Sequence, residues 1–184
     1  MVKKQADSTR EDDAYAKPQT VDCSGKRFAI VVAQFYEHLA NWLEDGARRA
    51  LRDCSVKEEH VAVYRVPGCF EIPLACKRLI ESDERLDGLV ALGVVVRGDT
   101  PHFDFVAGEC ARGVMDVQLA TGVPIGFGVL TTESYAQAQE RADPARGDKG
   151  HAAAAAAAAL LQELSKRGRI EPARATIGEQ SVGR

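Results

Sequence analysis

Hydrophobic residues along the chain gather into short runs that alternate with segments of helical spacing. The runs at 27–33, 89–96 and 125–130 are almost entirely apolar and contain many β-branched side chains. Such runs are typical of strands buried on both faces of a sheet. The segment 60–66 alternates more clearly between apolar and polar positions, which favours a strand nearer the sheet edge. We therefore predict four strands.

Apolar residues three and four positions apart mark the segments that follow these strands. Their spacing predicts helices over 39–51, 71–80, 102–121, 134–141 and 149–167. Strand and helix thus alternate four times, and short connections with right-handed crossovers make the sheet parallel. The predicted fold class is α/β, a three-layer α/β/α arrangement in which helices cover both faces of a four-stranded parallel sheet.

The composition fits one folded domain between two polar ends. The chain has 184 residues, of which 45% are hydrophobic and 28% are charged, so it can bury a single core. The first residues are too polar to fold alone, and the last ones read as a loose tail. We predict an N-terminal tail at 1–22, a folded domain at 23–168 and a C-terminal tail at 169–184.

Charge and hydropathy argue against several kinds of partner. The net charge of −3 favours binding to neither nucleic acid nor an anionic membrane. No apolar run approaches the ~20 residues that span a bilayer, and the N-terminus lacks a hydrophobic signal core. We expect a cytoplasmic protein that acts on a small molecule or associates with other proteins.

The cysteines show neither a CxxC motif nor the Cys/His spacing of a zinc site. We predict reduced thiols that mostly fill the core, and no metal site. Cys69 is the exception to follow. The five cysteines are Cys23, Cys54, Cys69, Cys76 and Cys110.

The stretch 93–105, GVVVRGDTPHFDF, passes from an apolar run through a polar turn into a helix. Asp99 or Thr100 can cap that helix, and Pro101 suits its first turn. His102 follows at the helix start, and ligands of parallel sheets bind outside the carboxyl ends of the strands. A lone histidine at this position is also compatible with a capping or core role.

The other strand exits bring further chemistry toward the same edge of the sheet. Aromatic faces suit a flat heterocycle, a carboxylate suits hydroxyls or amines, and histidine moves protons near neutral pH. Arg141 and Lys149 can add the positive charge that a phosphate needs. Neither a Walker loop nor a GxGxxG motif occurs, so nucleotide binding by those routes is unsupported. The exits comprise Phe35 and residues 68–71, 96–102 and 127–132.

These residues also have purely structural interpretations. On spacing alone, Phe35 and Phe127 fit core aromatics as well as stacking groups. Glu71 fits a charge at a helix start, and Arg141 alone fits a surface residue. The pattern of residue types by itself leaves both interpretations open.

Several motifs in fixed order resemble the 6,7-dimethyl-8-ribityllumazine synthase family. The likeness covers about residues 27–166, and its strongest element is GxVxRGxTPHF at 93–103. The resemblance implies a flavodoxin-like fold and an enzyme of riboflavin biosynthesis. Its reaction condenses 5-amino-6-(D-ribitylamino)uracil with 3,4-dihydroxy-2-butanone 4-phosphate, releasing phosphate and water without a cofactor. The other matching segments are Phe35, VPGCFEIPLA, TGVPIGFGVLTT, QAQERAD and GDKG.

The resemblance also implies a role for individual residues. His102 corresponds to the general acid/base, and Phe35 to the residue that stacks on the pyrimidine. The other implied substrate-binding residues are Cys69, Phe70 and Glu71, which hold the ring and the ribityl chain; Val94, Val95 and Val96, which line the ring pocket; Asp99 and Thr100, in the turn beside the phosphate; Arg141, which binds the phosphate, with Lys149 nearby; and Phe127, which comes from the adjacent subunit.

The resemblance implies a homopentamer with sites between neighbouring subunits, and in some family members twelve pentamers form a 60-subunit shell. Two local departures occur. Tyr36 stands where the family often has Asn, and residues 143–145 (Asp-Pro-Ala) stand where a Gly-Thr-Lys turn is common. We therefore expect the contacts to the ring or the phosphate to differ locally.

Three other functions are compatible with such a chain. One is the archaeal type of riboflavin synthase, against which Phe35 and the His102 element argue. Another is a non-catalytic paralogue that binds lumazine or riboflavin, an alternative that Tyr36 leaves open. The third is a flavodoxin-like FMN carrier, but the chain lacks a Ser/Thr-rich phosphate loop after its first strand.

Overall fold

The computed structural model describes residues 20–166, so the predicted tails lie outside it except for residues 20–22. Strands and helices alternate as predicted, with boundaries that differ by one or two residues. The elements are β1 (Phe28–Ala33), α1 (Glu37–Asp53), β2 (Val61–Val66), α2 (Ile72–Ser82), β3 (Gly88–Val96), α3 (His102–Thr121), β4 (Ile125–Thr132), α4 (Tyr135–Ala142) and α5 (Lys149–Lys166), with 3₁₀ turns at Glu58–His60 and Cys69–Glu71.

The four strands form one parallel sheet in the order β2-β1-β3-β4. The central strands β1 and β3 are buried on both faces, and β2 lies at an edge, as its alternation predicted. β4 differs from the prediction of a fully buried strand. It forms the other edge of the sheet, and Phe127 and Thr131 are exposed there.

Two helical layers cover the sheet, which confirms the predicted α/β/α arrangement. Successive side chains of β1 point to opposite faces, as the pleat requires. Ile30 packs into a core with α1, α4 and α5, whereas Val31 packs into a core with α2 and α3. Both residues are fully buried.

Small residues let α5 pack unusually close to its neighbours. A Cβ on Gly126 would collide with the carbonyl oxygen of Ala153, and one on Gly150 would collide with that of Leu43. The alanine run at 152–159 therefore serves close packing as well as helix propensity. This packing fixes the start of α5, and with it Lys149, against β4 and α1.

The helix caps differ in detail from the predictions. Pro101 occupies the N-cap of α3, without a side-chain cap. The Oγ1 atom of Thr100 accepts a long hydrogen bond, 3.4 Å, from the N–H of His102. Ser134 caps α4 by accepting a bond from the N–H of Gln137, whose side chain accepts one from the N–H of Glu133, one residue earlier than in a capping box. None of the described helices is long and apolar enough to cross a membrane.

Candidate active site

Most of the predicted site residues meet in one cavity, which we call cavity A. It has a volume of about 540 Å³, within the range of ordinary ligand pockets. It lies outside the carboxyl ends of β1 and β3, where this class of fold binds ligands. The predicted residues that line it are Phe35, Cys69, Phe70, Glu71, Val94, Val95, Val96, Thr100 and His102.

A step in the sheet creates the floor of cavity A. Val32 pairs with Leu92, so β1 ends level with Gly93 while β3 continues through residues 94–96. The backbone then leaves β1 and carries Phe35 away from the sheet. The last residues of β3 therefore have no β1 partner on that side, and they line cavity A there.

Exposed aromatic rings stand beside this floor. Phe35 is 74% exposed, which rules out the core-aromatic interpretation, and Phe70 is also exposed. The Phe35 ring meets the Tyr36 ring edge to face, with 5.1 Å between centroids and an interplanar angle of 70°. Tyr36 in turn contacts Tyr135 at 5.8 Å. Tyr36 thus braces the exposed ring from the side and leaves its face accessible.

Cys69 forms part of the wall of the cavity. Its side chain is only 4% exposed, and the Sγ atom donates a weak hydrogen bond to the Val94 carbonyl, with 3.7 Å between the atoms. Burial raises the pKa of this thiol to about 12, so it stays protonated near neutral pH. Gly93 makes the arrangement possible, because a Cβ there would lie 2.5 Å from the sulfur.

His102 is the first residue of α3 and is exposed toward cavity A. Arg97 holds this end of the helix, because its guanidinium lies 4.1 Å from the centroid of the Phe103 ring. The same guanidinium pairs with Asp104 at 3.2 Å and with Glu133, beyond β4, at 2.8 Å. These contacts tie the start of α3, where His102 lies, to the ends of β3 and β4.

All but one of the remaining predicted residues lie elsewhere on the chain, in what we call cavity B. This cavity has a volume of about 470 Å³ and is lined by Phe127, Arg141 and Lys149, with alanines of α5. Arg141 and Lys149 also line an adjoining space of about 650 Å³ together with Arg146. Positive side chains close to one another suit a phosphate group.

The prediction that all strand exits share one edge is therefore wrong for Phe127. It is the third residue of β4, pairs with Ala91 in the middle of β3, and is 43% exposed. Within residues 20–166, cavities A and B have no lining residue in common. Asp99 is exposed in the turn before α3 and is absent from the lining of both cavities.

Comparison with known proteins identifies the family. The family model described as 6,7-dimethyl-8-ribityllumazine synthase matches residues 25–165. The chain belongs to this family. A protein of that name from Cutibacterium acnes is 48% identical over 147 residues, covering 79% of this chain and 86% of its own length. Another, from Nitratidesulfovibrio vulgaris, is 45% identical over 135 residues, covering 73% and 86% respectively.

Membership of the lumazine synthase family settles the broad activity. The chain is an enzyme, a transferase of riboflavin biosynthesis with 6,7-dimethyl-8-ribityllumazine synthase activity. Within the described residues 20–166, no group of three or more His, Cys, Asp or Glu side chains is placed to hold a metal ion.

Sequence reasoning missed the role of Arg97 and Tyr36 in shaping this lumazine synthase site. Arg97 is one position of the motif at 93–103, and Asp104 seven residues later is the nearest sign of a partner. Tyr36 departs from the family pattern, but its contact with Tyr135 depends on α4 packing beside α1. No spacing in the sequence reveals that contact.

Proposed function

We propose that the lumazine synthase reaction takes place at a composite site, in which cavity A of one subunit faces cavity B of the next. The observation that carries the proposal is the separation of two complementary halves on one chain. Cavity A offers apolar and aromatic surface with one histidine, and cavity B offers two cations and an exposed aromatic ring. Neither half alone holds all the groups that the two substrates need.

In this proposal the ribitylaminouracil binds in cavity A. Its pyrimidine stacks on Phe35 and lies over residues 94–96 of β3, because the exposed ring and the step in the sheet form a flat apolar slot. The Glu71 carboxylate accepts hydrogen bonds from the ribityl hydroxyls, and the backbone at residues 69 and 70 holds the ring. The thiol of Cys69 takes no part, since burial keeps it protonated.

His102 acts as the general acid/base. The condensation forms a bond between an amine of the uracil and the carbonyl carbon of the second substrate, with loss of water. Elimination of phosphate and ring closure follow, ring closure releases a second water, and each step needs a proton moved near neutral pH. The imidazole reaches both reacting groups from the start of α3, and Arg97 keeps that helix start in place.

Dihydroxybutanone phosphate binds with its phosphate in cavity B. Arg141 offers two parallel N–H donors to the phosphate oxygens, and Lys149 adds a second charge. Phe127 covers the pyrimidine slot of the neighbouring subunit. Asp99 and Thr100 flank the phosphate from the turn before α3. Holding both substrates in one geometry supplies on the order of 7 to 11 kcal/mol in favourable cases.

Such a site requires an assembly in which subunits meet head to tail, and a closed ring satisfies it. We propose a cytoplasmic homopentamer, which can assemble further into a 60-subunit shell. Exposed apolar side chains on α3 support a buried subunit contact there. They are Phe105, Met115 and Leu119.

Mixing two impaired variants tests the composite site, with dihydroxybutanone phosphate held below its wild-type KM so that weaker phosphate binding lowers turnover. His102→Ala removes the acid/base of cavity A, and Arg141→Ala removes the phosphate ligand of cavity B. Subunits of the two variants are unfolded together, reassembled, and assayed for lumazine absorbance and released phosphate. We expect about a quarter of wild-type turnover, because random pairing joins two intact halves at roughly one interface in four.

The controls are each variant reassembled with itself. A mixture no more active than the mean of those two controls would mean that each chain carries a complete site, and the composite proposal would fail. Binding of lumazine or riboflavin by the wild-type protein without phosphate release would indicate a non-catalytic binder instead.

A further inference from the structure

The connection between α4 and α5 carries the two cations of cavity B at its ends. Arg141 lies in the last turn of α4, and Lys149 begins α5. Asp148, directly before Lys149, has a φ of 41°. This value lies in the left-handed region, which residues other than glycine rarely adopt. This backbone conformation persists only if neighbouring contacts hold it.

A bidentate ion pair from α1 supplies such contacts. Arg49 Nη2 donates to Oδ1 of Asp148 at 2.9 Å, and Nη1 donates to Oδ2 at 3.0 Å, across 99 positions of sequence. The Nε atom of Arg49 is fixed in turn by Asp45 at 2.9 Å. The Arg49 and Asp148 side chains are 29% and 23% exposed, so the pair is partly shielded from water. These bonds raise the pKa of the Arg49 guanidinium above its ordinary value, the bond to Asp148 contributing most.

The connection also packs directly over Arg141. The N–H of Gly147 donates to the Glu140 carbonyl at 3.0 Å, and that of Asp148 donates to the Asp143 carbonyl at 3.1 Å. A Cβ on Gly147 would lie 2.7 Å from the Cα of Arg141. A displacement of Asp148 is therefore passed to the backbone of Arg141 on one side and to Lys149 on the other.

We propose that Arg49 is a positioning residue for the phosphate half of the site. Its ion pair with Asp148 holds the left-handed turn that sets the spacing of Arg141 and Lys149. The inference rests on the proposed function, in which those two side chains bind the phosphate. It predicts that loss of Arg49 weakens phosphate binding, although Arg49 lies outside the lining of cavity B.

Arg48 provides a matched control on the same helix. It also makes ion pairs, with Glu44 and with Glu58, but these tie α1 to the segment before β2 and do not reach the α4–α5 connection. Glu44 keeps Arg65 as a second partner when Arg48 is removed. Arg48→Ala therefore removes a comparable ion pair from α1 and leaves Asp148 untouched.

The experiment measures KM for each substrate separately, kcat, and inhibition by inorganic phosphate. For Arg49→Ala we expect KM for dihydroxybutanone phosphate to rise about five- to tenfold, since a shift of a fraction of an ångström costs less than the roughly 100-fold linked to 1 Å. Inhibition by inorganic phosphate should weaken in parallel. KM for the uracil should stay within about twofold, and Arg48→Ala should behave like wild type.

Two milder variants cover the case in which Arg49→Ala fails to fold. Asp148→Asn tolerates the left-handed turn and keeps one acceptor for Arg49, and Arg49→Lys keeps the charge but loses the fork. Both should raise KM for the phosphate substrate by less than Arg49→Ala. The inference is overturned if both KM values rise equally, or if only the melting temperature falls. Failure of the proposed function has a separate signature. If Lys149→Ala and Arg141→Ala themselves leave phosphate binding unchanged, the assignment of cavity B to the phosphate is wrong.

Discussion

Cavities A and B belong to one chain but are built in different ways. Cavity A stands on the ends of the two central strands, and its walls are apolar groups such as Val94 and the buried thiol of Cys69. Cavity B lies beside the edge strand β4, at a connection between two helices, and its lining includes the long charged side chains of Arg141 and Lys149. Hydrogen bonds between strands fix the residues at strand ends relative to one another. A connection between helices lacks that pairing, so other contacts must fix the positions of its charged side chains.

The difference shows what fixes the geometry of each cavity. In cavity A the geometry follows from sheet register, which sets how far β3 projects past β1. In cavity B it depends on separate contacts, such as the ion pair between Arg49 and Asp148. Variants in the two cavities should therefore affect different kinetic constants, which four predictions make measurable.

The largest effect is expected for His102→Ala in cavity A. We expect kcat to fall about 100-fold, because the variant loses general acid/base catalysis. The affinity for the uracil substrate should change little, since stacking and ribityl contacts remain. Stopped-flow absorbance of the lumazine product and a calorimetric titration of the uracil measure the two quantities. His38→Ala, on exposed α1 surface, is the control, and an unchanged kcat would remove His102 from the mechanism.

Arg141→Ala in cavity B should act on binding. Loss of charged hydrogen bonds of about 1.5–3 kcal/mol raises KM for the phosphate substrate about 10- to 100-fold. Arg141→Lys should recover part of the loss, because it restores the charge but not the two parallel N–H donors of the guanidinium. Steady-state kinetics with each substrate varied in turn provide the test. Arg78→Ala, an exposed arginine on α2, serves as control, and weakened binding of the uracil alone would contradict the phosphate assignment.

Tyr36 lines cavity A itself, and Tyr36→Leu should act mainly through the ring of Phe35. The edge-to-face contact with Phe35 and the contact with Tyr135 disappear, so the exposed ring becomes less ordered. Aromatic pairs contribute about 0.5–1.5 kcal/mol, which predicts a two- to tenfold weaker affinity for the uracil. Tyr64→Leu, on the edge strand β2, controls for loss of a half-exposed tyrosine. An affinity equal to that of wild type would show that Phe35 needs no lateral support.

Cys69 should have the smallest effect on activity and a clear effect on alkaline stability. Burial raises the pKa of its thiol from 9.0 to about 12. The thiol therefore stays protonated in the folded protein at a pH at which the same group ionises in the unfolded chain, above about pH 9. This contribution to the free energy of unfolding is complete below that pH and is lost as the pH rises toward 12. Cys69→Ala should keep kcat within about twofold, because the thiol does no chemistry.

Denaturant unfolding between pH 9 and 10.5 measures the stability effect. The free energy of unfolding of Cys69→Ala should fall less steeply with pH than that of wild type, by up to about 1.4 kcal/mol per pH unit. Equal slopes would mean that the thiol ionises freely in the folded protein. Rapid alkylation at pH 8 with loss of turnover would contradict its burial in the wall of cavity A.

The sequence by itself determined the fold class and most of cavity A. Unbroken apolar runs separated by helical spacing leave few alternatives to a covered parallel sheet, and parallel strands bring their carboxyl ends together. The stretch 93–105 therefore had to meet Phe35 and Cys69 at one edge. The sequence also predicts the edge position of β2, because apolar and polar residues alternate in a strand that is buried on one face only.

Only the tertiary structure decided the rest. The position of Phe127 along the sheet depends on the register between β4 and β3. A run of apolar residues without alternation does not indicate that register. The pairing of Arg49 with Asp148 joins positions 99 residues apart. Such contacts arise where α5 packs onto α1, and local sequence patterns carry no information about which distant charges a packed interface brings together.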